Sequence, residues 1–232
     1  MNMKIPKHVG FIIDGNRRFA KRLMKSPQKG HEWGYEKVKK LIDWCKEFNI
    51  QEFTLYTFSL ENFDRPKAEF DYLMKLFKKA FIELQTEKDK IKDLRVKFIG
   101  RLHLFPEDVK KEMYNLMEKT KNNEPFKLNF AMAYSGRAEI IDAVKKVAEA
   151  VKSGNLSIED IDEKVLQEQL YMDSDPDLII RTSESRLSGF LLWQASYSEL
   201  IFLPNILWPE FTKENLVECL EKYSNIERRF GK

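Results

Sequence analysis

Three segments of the 232-residue chain join arginine to small hydroxyl, amide or glycine residues directly after an apolar run. The first is Asp14-Gly15-Asn16-Arg17-Arg18, following Val9 to Ile13. The second is Ser59-Leu60-Glu61-Asn62-Phe63-Asp64-Arg65, following Phe53 to Phe58. The third, Arg181-Thr182-Ser183-Glu184-Ser185-Arg186-Leu187-Ser188, closes a run that begins at Asp177. Guanidinium forks bind phosphate oxygens bidentately, and glycine lets backbone N–H groups come close. Gathered at one edge, these loops would make a polyanion pocket. A carboxylate among the arginines would suit a hard divalent cation, because Mg²⁺ is held by one or two carboxylates plus substrate phosphates and water. Asp14 is the first candidate; the alternative is that it caps the next helix. Glu199 is the second, since it lies in the poorly charged stretch Trp193 to Phe202 and should be paired or ligated. A salt bridge to an arginine serves Glu199 equally well. His31 follows Gly30 at a helix start and reads as a surface or capping residue; His8 and His103 have no supporting context.

The elements that must position these loops alternate in period. Strand patterns cover residues 9–14, 53–58, 96–100, 128–134, 177–181 and 199–203. Helical patterns cover residues 31–48, 66–88, 106–121 and 137–152, the last expected to bury Ile140, Ile141, Val144, Val147 and Val151. Ser157 is expected to cap a short helix to about Leu170, and Thr212 a final one to about Phe230. This alternation predicts one α/β domain over 1–232, with a central, mostly parallel sheet covered by helices. Ligands then bind beyond the carboxyl ends of the strands, where the arginine loops lie. The stripe Phe70, Leu73, Met74, Phe77, Phe81 and Leu84 reads first as plain core; its functional alternative is a wall of a hydrophobic tunnel between sheet and helices.

The bulk composition narrows the classes. Hydrophobic residues are 43% of the chain and the net charge is only +3, which argues against a dedicated nucleic-acid binder. Cys45 and Cys219 fall on apolar helical faces and read as buried thiols in a reducing, cytoplasmic setting. The start MNMKIPKH has no apolar signal core, and no segment approaches a spanning length, so any membrane contact is expected to be peripheral.

The stretches HVGFIIDGNRRFAKR, GH at 30–31, TLYTFSLENFDRP, RTSESRLSGFLLWQASYSEL and LWPEF together resemble the sequence regions of the cis-prenyltransferases, the undecaprenyl diphosphate synthase family. The resemblance runs from His8 to Gly231. It implies Mg²⁺-dependent extension of an allylic diphosphate primer, farnesyl or geranylgeranyl, by isopentenyl diphosphate units with Z double bonds. The product would be a long-chain lipid carrier precursor for glycan assembly, and the enzyme a homodimer. By motif position, Asp14 binds magnesium on the allylic diphosphate, with Glu199 as second ligand. Gly15, Asn16, Arg17, Arg18 and Phe19 form the phosphate-cradling loop, and His31 stands near that diphosphate. Ser59, Leu60, Glu61, Asn62, Phe63 and Arg65 form the second substrate loop, where Asn62 takes part in proton removal. Arg181, Arg186, Leu187 and Ser188 correspond to the isopentenyl diphosphate site, and Arg229-Phe-Gly to an element that reaches a partner subunit.

The chain departs from that pattern in places. Phe19 and Phe63 stand where many members carry Trp. The segment Arg181 to Ser188 is one residue short and lacks the usual glycine. Residues 24–29 lack an arginine found in some bacterial members, with Pro27 near that point. Three other classes compete. A non-catalytic partner subunit would lack the first-loop aspartate and arginines. An aspartate-nucleophile phosphohydrolase would need a second aspartate where Asn16 stands. An RNA-binding protein has only the 40 Lys and Arg and the many aromatics in its favour, against 37 Asp and Glu.

Overall fold

In a computed structural model, residues 3–227 are described. In chain order the elements are β1 (His8–Ile12), α1 (Asn16–Arg22), α2 (Pro27–Glu47), β2 (Glu52–Ser59), α3 (Lys67–Thr86), α4 (Lys88–Ile91) and β3 (Leu94–Ile99). There follow α5 (Glu107–Thr120), β4 (Phe126–Tyr134), α6 (Gly136–Lys152), α7 (Glu163–Gln167), β5 (Leu178–Thr182), β6 (Glu199–Leu203) and α8 (Lys213–Ser224). The strands form one six-stranded sheet in the order β3-β4-β2-β1-β5-β6, with every pairing parallel. A parallel strand covered on both faces reads as a nearly continuous apolar run, and every residue of β1 and of β5 is buried, including the polar His8, Arg181 and Thr182 at their ends.

Successive side chains point to opposite faces of the sheet. Val9 and Phe11 enter the larger core cluster, which draws in Leu41 and Cys45 of α2, Leu73 and Phe77 of α3, Met113 of α5 and Cys219 of α8. Ile12 and Ile179 enter the smaller one, with Tyr134, Phe190 and Leu191. Both cysteines are buried free thiols, as their helical spacing implied. From β1 the chain moves to β2 on one side and later returns to β5 on the other. The gap between β1 and β5 is therefore the topological switch point, where open α/β sheets bind ligands.

Several expectations are corrected. The helix after Asp14, which the sequence left without bounds, is α1, and α2 starts at Pro27, which occupies a first-turn position where a missing N–H costs nothing. Helix α6 is rotated: Ile141 and Val144 are 52% and 47% exposed, while Gly136, Glu139, Ala143 and Val147 are buried. The cause is the buried Glu139, a polar residue on the inward face that an apolar count cannot include. Ser157 caps no α-helix; it precedes a 3-10 turn, and Asp162 caps the short α7 by accepting from Val165 N at 2.8 Å. Thr212 does cap the last helix, which ends at Ser224; Phe230 and the Arg229-Phe-Gly element lie outside the described residues. Among the described residues, no helix is long and apolar enough to cross a membrane.

Candidate active site

Strand β1 ends beside β5, and that pairing fixes Asp14. Its backbone N–H donates to Thr182 Oγ1 at 3.2 Å, and Thr182 Oγ1 donates back to Asp14 O at 2.7 Å. Trp208 N also donates to Asp14 O, at 2.9 Å. The side chain caps nothing: the N-cap of α1 is Gly15, and no side-chain cap bond forms. Gly15 has φ of 112°, a left-handed conformation that favours glycine, and a Cβ there would press on Leu207. The next turn is held just as closely, since a Cβ on Gly34 would meet Asn16 Oδ1 at 2.3 Å. Asn16 Oδ1 is buried without a partner.

The arginines converge on two carboxylates. Asp14 Oδ2 accepts from Arg18 Nη2 at 2.8 Å and from Arg181 Nη2 at 3.1 Å. Glu184 accepts from Arg18 at 3.2 Å and from Arg181 at 2.5 Å, and pairs with Arg186 at 2.5 Å. Arg181 is only 3% exposed and also donates to Ser188 Oγ at 2.6 Å and to the Arg186 carbonyl. Arg181 thus braces its own loop, whereas Arg17, Arg18 and Arg186 keep side chains 56%, 47% and 67% exposed. The missing glycine of this loop has a consequence: Ser183 and Ser188 adopt φ of 75° and 48°, where L-residues are strained.

The second loop is a 3-10 turn, Leu60–Asp64, in which Asn62 Oδ1 accepts from Ser59 N at 3.2 Å. Arg65 Nη1 lies 2.8 Å from Glu69 Oε1 and 3.4 Å from His31 Nε2, and His31 Nε2 lies 3.0 Å from the same Glu69 oxygen. His31 is not a surface residue; it is 8% exposed, and burial, the largest influence, lowers its pKa.

Asp14, Gly15, Asn16, Arg17, Arg18, His31, Ser59, Asn62, Arg65, Arg181, Arg186 and Ser188 all line one cavity of about 1030 Å³. Its polar mouth continues between α2 and α3 along Val38, Ile42, Leu73, Phe77, Phe81 and Leu84. Much of the aromatic stripe of α3 is therefore tunnel wall; Phe70 instead packs on Phe58 and Phe63, and Met74 joins the core.

Six expected site residues do not line this cavity. Phe19 packs edge-on against Trp33, with centroids 5.3 Å apart, because its side of α1 faces α2. Leu60 and Phe63 pack on the large core cluster and Leu187 on the smaller one, as apolar side chains in tight turns do. Glu61 is exposed. Glu199 opens β6 opposite Leu178, whereas the site lies beyond the other end, level with Thr182 and Leu203. Four strand residues separate those levels, about 13 Å. Within one chain, Glu199 and Asp14 therefore do not share a cation. The sequence had also left Thr182, Glu184 and Glu69 without roles. Glu69 stands four residues after Arg65, a helical pairing distance that was a usable signal.

Residues 12–231 match the family model for undecaprenyl diphosphate synthases. The chain belongs to the cis-prenyltransferase family. It is a prenyltransferase, 47% identical over 234 residues to the geranylgeranyl-diphosphate-specific tritrans,polycis-undecaprenyl-diphosphate synthase of Methanocaldococcus jannaschii, covering 98% of this chain and 83% of that relative. The protein of the same description in Pyrococcus horikoshii is 45% identical, with 98% and 88% covered. Among solved structures, lavandulyl diphosphate synthase from Lavandula x intermedia, in complex with dimethylallyl diphosphate, superposes with a TM-score of 0.92 at 33% identity, covering 98% and 99% of the two chains. A probable undecaprenyl diphosphate synthase from Campylobacter jejuni gives 0.81 at 33% identity, with both chains fully covered.

The donor set of this prenyltransferase suits Mg²⁺. Among the described residues no group of three or more His, Cys, Asp or Glu could hold a metal by itself. Of the two carboxylates among the arginines, Glu184 engages them through both oxygens, whereas Asp14 engages them through Oδ2 and leaves Oδ1 for a cation. Such a cation would draw its other ligands from diphosphate and water, the usual habit of Mg²⁺.

Proposed function

We propose that this cavity condenses isopentenyl diphosphate onto an allylic diphosphate, and that geranylgeranyl diphosphate is the primer, as in the names of the relatives. The supporting observation is the continuity of an arginine-lined mouth with an apolar tunnel between α2 and α3. A substrate with a diphosphate head and a growing hydrocarbon tail needs both in one space. In the reaction the allylic C–O bond breaks and diphosphate leaves with the electron pair. The alkene of isopentenyl diphosphate attacks the allylic carbon, and loss of a proton from the adduct forms the new Z double bond.

Each residue class has a part in this reading. Asp14 would hold Mg²⁺, which on binding supplies charge stabilisation to the departing diphosphate. Arg17, Arg18 and the Gly15–Asn16 turn hold the primer diphosphate. Arg181, Arg186 and Ser188 hold that of isopentenyl diphosphate, and Glu184 pairs with both guanidinium groups before it binds. Asn62 is no base, and its Oδ1 already accepts from Ser59 N, so its amide hydrogens are what it offers the substrate. The proton then passes to a diphosphate oxygen. Glu199, at the opposite end of β6, does not share the Asp14 cation within one chain. A homodimer, a lipid-carrier product and peripheral contact with a membrane through that product complete the reading.

Purified protein with Mg²⁺, isopentenyl diphosphate and geranylgeranyl diphosphate, followed by mass analysis, tests it. Elongated products that vanish on chelation are expected. No elongation from any allylic primer overturns the reading and revives the non-catalytic subunit.

A further inference from the structure

Glu69 belongs to none of the three arginine loops and does not line the cavity, yet the three groups it holds do. It lies in the first turn of α3 and is 5% exposed. Its Oε1 accepts from Arg65 Nη1 at 2.8 Å, lies 3.0 Å from His31 Nε2 and 3.8 Å from Arg17 Nε. These partners come from separate segments: the loop after β2, helix α2 and helix α1. One buried oxygen therefore ties together three pieces of the cavity wall.

Its charge state dictates a proton position. Burial pulls the Glu69 carboxyl upward, but the hydrogen bond from His31 and the charges of Arg65 and Arg17 outweigh it and hold the pKa below the ordinary value. An ionised carboxylate only accepts, so Nε2 of His31 carries the ring hydrogen and Nδ1 the lone pair. Arg65 Nη1 stands 3.4 Å from that same Nε2. Two donors do not bond each other, so the carboxylate shared between them is what lets the guanidinium and imidazole sit side by side.

We propose that Glu69 is a positioning residue for prenyl transfer, fixing His31 as its Nε2–H tautomer and aiming Arg65 and Arg17 at the diphosphate. This rests on the function proposed above. Glu69→Gln keeps the size and removes the charge. Its kcat is expected to fall about tenfold, with KM for either diphosphate moving less than about threefold, because a charge-assisted contact that organises the reacting groups is weakened. Glu69→Asp, which restores the charge on a shorter stem, should recover part of the loss.

Tautomers give a readout that a merely structural role would not move. The chain has three histidines, so long-range proton–nitrogen spectra of the whole protein are assignable with a His31→Asn control. Wild-type His31 is expected as Nε2–H, and Glu69→Gln should spread the population towards Nδ1–H. Wild-type His31 found as Nδ1–H overturns the proposal, even if the variant does not fold. So does a folded Glu69→Gln with unchanged kcat and unchanged tautomer. A wild-type chain that makes no product, with His31 still Nε2–H, overturns the function reading and leaves Glu69 as an organiser of the cavity wall.

Discussion

Two buried glutamates occupy the first turns of helices that follow β2 and β4, and their surroundings differ in kind. Glu139 on α6 is fully buried and accepts from the Tyr134 hydroxyl, from Tyr171 N at 2.9 Å and from Gln194 Nε2 at 3.1 Å. None of these partners lines the cavity. Glu69 on α3 is 5% exposed, and Arg65, His31 and Arg17, its partners, all do. Burial raises the Glu139 carboxyl above its ordinary pKa, whereas His31 and the arginines bring Glu69 below it. A buried carboxylate is costly in either place. Whether it serves the fold or the chemistry is decided by where its partners face.

The comparison can be broken most forcefully at the mouth itself. Asp14→Ala is expected to reduce turnover by about a thousandfold or more, since it removes the carboxylate assigned to the cation. The melting temperature should stay close to wild type. A collapse in stability instead would place Asp14 with Glu139, on the side of the fold.

Phe81 probes the boundary between the two roles, being 3% exposed yet part of the tunnel wall. Phe81→Ala should cost about 3–5 kcal/mol in urea unfolding and lengthen the products read by mass analysis. Lost stability with unchanged product lengths would return the α3 stripe to plain core.

Glu139→Ala should cost about 3 kcal/mol, because it strands the Tyr134 hydroxyl, Gln194 and Tyr171 N in the interior. The folded fraction should keep wild-type kcat and KM. Lost turnover at full stability would erase the distinction between the two glutamates.

The smallest effect is in pH dependence, and its sign differs between the two. The folded pKa of Glu69 is depressed below the ordinary 4.5, so its contribution is full above that value and is lost as pH falls through the folded value. The folded pKa of Glu139 is raised, so its contribution is full below 4.5 and is lost as pH rises. Glu69→Gln should therefore weaken the protein more at neutral than at acid pH, and Glu139→Gln more at acid than at neutral pH. Urea midpoints measured at both ends check this, and the same sign for both variants would undo the contrast.

Much of this molecule was legible in advance because its signals are local. Apolar runs bounded by Asp-Gly-Asn or by arginine-rich turns marked β1, β2 and β5, and alternation with helical stripes implied the parallel sheet. The three arginine loops met in one cavity as their places after the strands suggested, whereas His31 joined them against the surface or capping reading of its helix position. The end of the sheet at which Glu199 stands was not legible, because a carboxylate at the first residue of a strand looks the same in sequence as one at its last. The parallel register with β5 is what sends it to the far end.

By itself, then, the sequence determined the residue types available, the elements, and the family to which the chain belongs, since each is written in short-range pattern and motif. Only the tertiary structure decided what each face meets. Helix periodicity says that Leu73, Phe77, Phe81 and Leu84 share a side of α3, but not that a tunnel runs along it. Periodicity cannot bring Arg17, His31 and Arg65 onto one oxygen of Glu69, or Arg18 and Arg181 onto Asp14. Those contacts join residues remote in sequence, and packing around the sheet creates them.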